Sequence, residues 1–428
     1  MPLRRCGSCI PSGVIYDGYV KQILARRLGQ PETNRSGIAL RVAFDSSVLT
    51  SHGRHQGIYV YAQNLIAQFK KIAAVRSDIT FCLFASSQAA NDANAVEPGN
   101  GFELYQTSLL AKERLWRIGG ASVAAARAHA DVIFAPSFGI LPLGAVPVVC
   151  TIHDVTPVRM PSQSRKVRLL LRSFMWSGTR FSRAIITDSE CSKRDLVNIY
   201  GLPESKVSVV YLGYDATIFN ADSPDPERRQ NLLTKLGIGK AYILHHGVLQ
   251  PRKNLVRLIE SYRLMLSRNR NLELDLVLAG RLGWKYEGIL AAIGNGDGQR
   301  GRVILPGALP DSDLAMLVKG ASLAVIPSLY EGFCLPMVES MACGVPTIAA
   351  NSSCLPEISG GVLRYFDPES VDEMAVGMEE ALENAGLRRE LAEKGRFRAG
   401  QFDWRRCAEQ TLAILAREAG AARGLKAD

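Results

Sequence analysis

LAVIPSLYEGFCLPMVESMACGVPTIAA, residues 323–350, holds a complete strand–loop–helix–strand unit. The apolar run Leu323–Pro327 predicts a buried strand. A loop carrying Glu331 and Gly332 follows. A helix is expected to start near Pro336, because proline suits the first helical position. Thr347–Ala350 predicts the next strand. Loops after the C-terminal ends of parallel strands are where α/β folds bind ligands. A helix N-terminus there offers unpaired N–H groups and a positive dipole end to an anion. Glu331 and Glu339 stand eight residues apart, one before the helix and one a turn into it. A carboxylate accepts several hydrogen bonds and so suits sugar hydroxyls. On spacing alone, a helix-capping Glu331 with a solvated Glu339 fits equally well.

The same alternation extends in both directions. Strands are expected at 40–44, 80–84, 132–134, 146–152, 184–187 and 207–211, with amphipathic stretches at 59–69 and 115–130. A polar, proline-bearing segment from Ala221 reads as a linker. Strands then resume at 242–245, 274–279, 303–305, 323–327, 347–350 and 362–366. Two such blocks predict an α/β protein with two doubly wound, parallel-sheet, Rossmann-like domains. The chain of 428 residues is long enough for each to bury its own core. The expected division is an extension over 1–37, domains over 38–220 and 221–404, and a helix and tail over 405–428.

Composition narrows the class. With 47% hydrophobic and 21% charged residues the chain is neither disordered nor fibrous. No apolar run approaches the roughly 20 residues of a spanning helix, and no secretory leader is apparent. Nine scattered cysteines read as reduced thiols, so a cytoplasmic protein is expected. Cys6 and Cys9 form one CxxC with no second ligand pair, and no metal site is expected. The net charge of +10 lies wholly in the first half: 25 basic against 15 acidic residues over 1–220, then 26 against 26. Between Val155 and Thr187 stand seven basic residues and no acidic one, interleaved with leucines, Phe174 and Trp176. This Arg159–Arg183 segment reads equally as an anionic-membrane-binding helix or as a solvated domain helix.

EGFCLPMVESMACGVPTIAA resembles the E-x7-E signature of the retaining glycosyltransferases of family 4. GVLQPRKNLVRLIESY (247–262), GALPDSDLAMLVKGASLAVIPS (307–328), HDVTP (153–157) and DSECSKRDLVNIYGLPESKVSVVYLGYD (188–215) match in the family's order. The resemblance covers about residues 40–410. It implies a GT-B fold, with two Rossmann-like domains facing across a cleft, acceptor on the N-terminal side and nucleotide-sugar donor on the C-terminal side. The PRKN and HDVTP forms resemble bacterial mannosyltransferases of surface-polysaccharide synthesis, which implies GDP-mannose and a glycan or lipid-linked acceptor.

The resemblance also implies roles. Lys253, helped by Arg252, would meet the donor diphosphate, where cations stabilise charge on the leaving group. Glu339 would hold the ribose and Glu331 the transferred sugar. Gly332 and the N–H groups of Phe333 and Cys334 would line the donor site, as would Gly57 and Gly247. Ala308 and Leu309 would line the base pocket. His153 would orient the sugar, with Asp154 ordering the histidine. No cofactor or metal is implied. This chain departs from the pattern at Val248, where relatives often carry arginine, and around Gly57. His245 and His246 read as structural. Rival readings are a nucleotide-sugar epimerase, a sugar phosphorylase or a basic nucleic-acid-binding protein. The last has no recognised binding module.

Overall fold

The computed structural model describes residues 40–49, 57–85, 101–106, 115–138, 140–141, 143–160, 165–294 and 301–422. The extension over 1–37, with Cys6 and Cys9, lies outside them.

The first block runs β1 (Leu40–Asp45), α1 (Gly57–Val75), β2 (Ile79–Ala85), β3 (Phe102–Gln106), α2 (Ala121–Arg127), β4 (Val132–Ala135) and β5 (Val148–Thr151). It continues with α3 (Thr156–Arg159), α4 (Arg165–Phe181), β6 (Ala184–Thr187), α5 (Glu190–Tyr200) and β7 (Val207–Val209). These strands form one sheet in the order β3-β2-β1-β4-β5-β6-β7. β1, β4, β5 and β6 are nearly or wholly buried, as expected of strands covered on both faces. α1 buries one stripe, Tyr61, Leu65, Ile66, Phe69 and Ala73, at helical spacing.

The second block runs α6 (Pro226–Lys235), β8 (Ala241–His246), α7 (Leu255–Arg268), β9 (Leu274–Ala279), α8 (Glu287–Gly294), β10 (Val303–Gly307) and α9 (Asp311–Lys319). Then come β11 (Leu323–Ile326), α10 (Leu335–Ala342), β12 (Thr347–Ala350), α11 (Leu355–Ser359), β13 (Arg364–Phe366), α12 (Val371–Glu383), α13 (Ala385–Ala399) and α14 (Trp404–Ala422). The sheet is parallel, in the order β10-β9-β8-β11-β12-β13.

Both sheets are Rossmann-like, as the alternation of strands and helices predicts. Two local expectations fail. β3 was not foreseen; it is an edge strand whose FELYQ alternates apolar with polar residues, beside a run of turn formers. The 115–130 stretch is not one amphipathic helix. It opens with a π-turn at Trp116–Gly120 and kinks at Gly119, which has φ +154°, leaving only α2. Contacts group the described residues into two compact units: those of Met1–Thr151, Phe174–Ile185 and Leu412–Asp428, and those of Ile152–Ser173 and Ile186–Thr411. Among the described residues no helix is long and apolar enough to cross a membrane.

Candidate active site

The second sheet reverses its strand order between β8 and β11, which are parallel neighbours with Ala324 opposite Leu244. Their C-terminal loops therefore emerge side by side at a topological switch point. Gly247 follows β8 with φ +125°, a conformation open to glycine, and a Cβ there would lie 3.8 Å from Lys253 Nζ. Pro251–Lys253 form a 3₁₀ turn, and Asn254 at φ +59° opens α7. Leu329 N donates to Arg252 O at 2.9 Å, tying the two loops together.

Glu331 is the centre of this arrangement. Its carboxylate sits 2.5 Å from Arg252 Nη1 and 2.7 Å from Lys253 Nζ; Glu331 and Lys253 are buried and Arg252 nearly so. Burial alone raises its pKa; the two cations outweigh this and hold it at about 2. Burial opposes charge on Arg252, but Glu331 and then Asp154 keep that guanidinium protonated. Arg252 Nη1 also donates to Tyr330 O at 2.5 Å, and Glu331 N donates to Ser353 Oγ at 2.9 Å.

Glu339 lies in α10, and its side chain is 18% exposed. Among the described residues it forms no ion pair with Arg or Lys. Burial, reinforced by Asp311 and opposed by Lys253, pushes it up to about 8. Its neighbour at 3.6 Å is His246 Nδ1. Burial holds His246 at about 3 and His245 at about 4, so both are neutral near pH 7. His246 Nε2 meets Ser340 Oγ at 3.2 Å and His245 Nδ1 meets Val325 O at 3.0 Å. Phe333 is buried against Phe402, rings 5.2 Å apart. Cys334, at φ +74°, precedes α10, and burial pushes its thiol up to about 12.

His153 arrives from the first sheet. It stands two residues past β5, and Asp188 stands one past β6, the neighbouring strand. His153 Nδ1 meets Asp188 Oδ2 at 2.7 Å. Asp188 is buried, which raises its pKa, while His153 opposes the rise. Asp188, which sequence reading did not name, is thus a partner that orders the ring. Asp154 Oδ1 accepts from Thr156 N at 2.7 Å, closing a turn at the start of α3. Gly332 packs directly on this segment: a Cβ there would come within 2.4 Å of His153 O and 3.0 Å of Asp154 Cβ. Any larger residue would force the His153 and Glu331 loops apart.

Both blocks of the sequence match known families. The model for "Glycosyltransferase Family 4" matches residues 48–218, and that for "Glycosyl transferases group 1" matches residues 228–398. The chain belongs to the GT-B glycosyltransferases. Escherichia coli O-antigen chain mannosyltransferase B is 28% identical over 291 residues, 67% of this chain and 75% of that protein. The MMP alpha-(1->4)-mannosyltransferase of Mycolicibacterium hassiacum is 32% identical over 234 residues, 54% of this chain and 53% of that protein. The crystal structure of Anabaena Alr3699/HepE in complex with UDP and glucose superposes with a TM-score of 0.65 and 20% identity, covering 88% of this chain and all of that one.

In this glycosyltransferase, then, the structure brings together Gly247, Arg252, Lys253, Glu331, Gly332, His153 and Asp154. Ala308 and Leu309 lie between β10 and α9, and Asp311, two residues beyond them, acts electrostatically on Glu339. Gly57 opens α1 in the other unit, and residues 51–56 before it lie outside the described ones. Asp188, Tyr330 and Asp195 carry contacts that sequence reasoning did not assign. The DSECSKRD run held two of them in plain view, without a spacing that marks either.

The basic segment is only partly as expected. Arg159 pairs with Asp195 at 2.5 Å and Arg183 with Glu418 at 3.3 Å, so neither is a free surface cation. α4 between them exposes Leu169, Leu170, Trp176 and Phe181.

Proposed function

We propose that the enzyme transfers a hexose, mannose in the first instance, from a nucleoside-diphosphate sugar to a glycan or lipid-linked acceptor of cell-surface polysaccharide. Two mannosyltransferase relatives support the sugar, the PRKN and HDVTP forms support GDP-mannose, and the E-x7-E resemblance supports retention. The observation that carries the reading is the Arg252–Lys253–Glu331 cluster at the switch point, set against the start of α10.

The chemistry follows from that cluster. The bond between the anomeric carbon and the diphosphate breaks, and negative charge grows on the leaving oxygens. Arg252, Lys253 and the α10 N–H groups are preorganised to meet it. The acceptor oxygen bonds the anomeric carbon on the face that the leaving group vacates, and its proton passes to the departing phosphate. Glu331 and His153 hold the sugar, and Glu339 the ribose. On this reading the charge is met without a metal ion. The residues over 38–220 serve the acceptor and those over 221–404 the donor. The enzyme works in the cytoplasm, at the inner face of the membrane, with α4 against anionic lipid.

A thermal-shift screen against UDP, GDP and ADP tests the donor class. Ligand at a hundred times its Kd stabilises by about 2.7 kcal/mol, and GDP is expected to give the largest shift. A shift from none of the three rejects the reading. The configuration of the new linkage, read by NMR, tests retention, and turnover in chelator tests metal independence. Vesicles with and without anionic lipid test the membrane arm: Lys166→Gln with Arg172→Gln should weaken binding by up to about 1 kcal/mol per charge.

A further inference from the structure

Helix α5 touches both halves of the site. Its N-terminus is fixed twice: Ser189 accepts from Ser192 N, and the Glu357 carboxylate accepts from Glu190 N and Cys191 N at 2.7 and 2.9 Å. From this platform Ser192 donates its hydroxyl to His153 O at 3.1 Å. Three residues on, and so on the same helix face, Asp195 uses both carboxylate oxygens. Oδ1 takes Arg159 Nη2 at 2.5 Å, and Oδ2 takes the Tyr330 hydroxyl at 2.6 Å. Arg159 ends α3, the turn that follows His153. Tyr330 immediately precedes Glu331, and its carbonyl is the one that holds Arg252. Tyr330 and Asp195 are both buried. Burial and then the Asp195 contact push the phenol well above its usual range, so it stays a donor.

We infer that Asp195 and Tyr330 are positioning residues whose bridge sets the spacing between the His153 segment and the Glu331–Arg252 pair. This rests on reading that site as the sugar-transfer centre. The two segments follow strands of different sheets, β5 and β11, and each is itself a loop, and loops alone do not hold reacting groups to the fraction of an ångström that catalysis demands. A buried hydroxyl–carboxylate bond is short, strong and directional. It registers the two segments without touching the substrate.

The test compares Tyr330→Phe, Asp195→Ala, Asp195→Asn and the Tyr330→Phe/Asp195→Ala pair with the wild type. The donor is whichever of GDP-mannose, UDP-glucose and ADP-glucose the wild type consumes. Tyr330→Phe and Asp195→Ala should each lower kcat roughly ten- to a hundred-fold, with nucleotide Kd unchanged within about twofold. The double variant should be no worse than either single one, because both remove the same bridge. Asp195→Asn keeps a carbonyl for the phenol and should retain most of the rate. Full kcat per folded molecule in Tyr330→Phe, or losses that multiply in the double variant, would overturn the inference. If the wild type consumes none of the three donors, the functional reading fails instead. Amide hydrogen exchange still decides the bridge in that case. Faster exchange over both 153–158 and 329–334 in Tyr330→Phe and in Asp195→Ala, with near wild-type exchange in Asp195→Asn, supports it, and a change confined to one segment rejects it.

Discussion

Glu331 and Glu339 share a residue type and a motif, yet the fold gives them opposite electrostatics. Glu331 lies in the β11–α10 loop, where two cations from the β8 loop converge on it and hold it near 2. Glu339 lies along α10, half-buried and paired with no Arg or Lys among the described residues, and burial pushes it up to about 8. Near pH 7 the first is an anion and the second is largely neutral. The E-x7-E spacing places both carboxylates around the start of one helix. What each becomes is decided by which loop the sheet order sets beside it.

The hardest test of the contrast is Glu331→Gln. It leaves Arg252 and the buried Lys253 without their anion, and breaking a buried pair from one side costs about 3–5 kcal/mol. Denaturant unfolding of the nucleotide-free enzyme should show that loss. Adding Lys253→Met should recover part of it, whereas Lys253→Met should couple weakly to Glu339→Gln. The pH dependence has a definite sign. A carboxylate held below its unfolded value of about 4.5 contributes stability above that pH, and the contribution disappears as pH falls from about 4.5 through about 2. If Glu331→Gln unfolds at the wild-type midpoint, the clamp does not hold the native loop.

Glu339→Gln should act in the opposite direction. Its folded pKa is raised, so its contribution is fully present below the unfolded value of about 4.5 and is lost as pH rises through about 8. A neutral isostere removes that loss. Unfolding at pH 9 should show the variant more stable than wild type by the order of 1–3 kcal/mol, with little difference at pH 4. Lower stability at pH 9 would mean that the ionised Glu339 has a stabilising partner in the fold.

Much of this was legible in the sequence, and the exceptions share a cause. Buried strands read as largely apolar runs, so Ala184–Thr187, Leu274–Ala279 (apart from Asp275) and Thr347–Ala350 fall where the composition puts them. β3 escapes because an edge strand needs no such run. In the site, the contiguous stretch from Leu323 to Ala350 shows its two glutamates directly. The partner of His153 does not show: Asp154 is adjacent in sequence but turns back to its own backbone, while Asp188 is supplied by a neighbouring strand 35 residues on. Tyr330 likewise looks like one more core aromatic until its hydroxyl is traced to Asp195. Motif spacing encodes what one loop carries. Strand order decides what a second loop adds, and no local pattern records it.

The finest distinction between the two glutamates is a proton. If ribose hydroxyls donate to Glu339, they favour its ionised form, and binding lowers a pKa that starts near 8. Nucleotide binding at pH 7 should then release up to about one proton, and affinity should rise with pH toward 8 by at most about one decade per unit. Calorimetric titration with GDP in buffers of different ionisation enthalpy measures the released proton directly. Glu339→Gln should abolish the release and, by removing a charged acceptor, weaken binding by about 1.5–3 kcal/mol. Glu331 is already ionised and cannot supply the proton, so a Glu331→Gln variant that still binds should release as much as wild type. A wild-type titration with no buffer dependence would mean that Glu339 remains protonated over the nucleotide or does not meet it. Proton release that survives Glu339→Gln would move the titrating group elsewhere in the site.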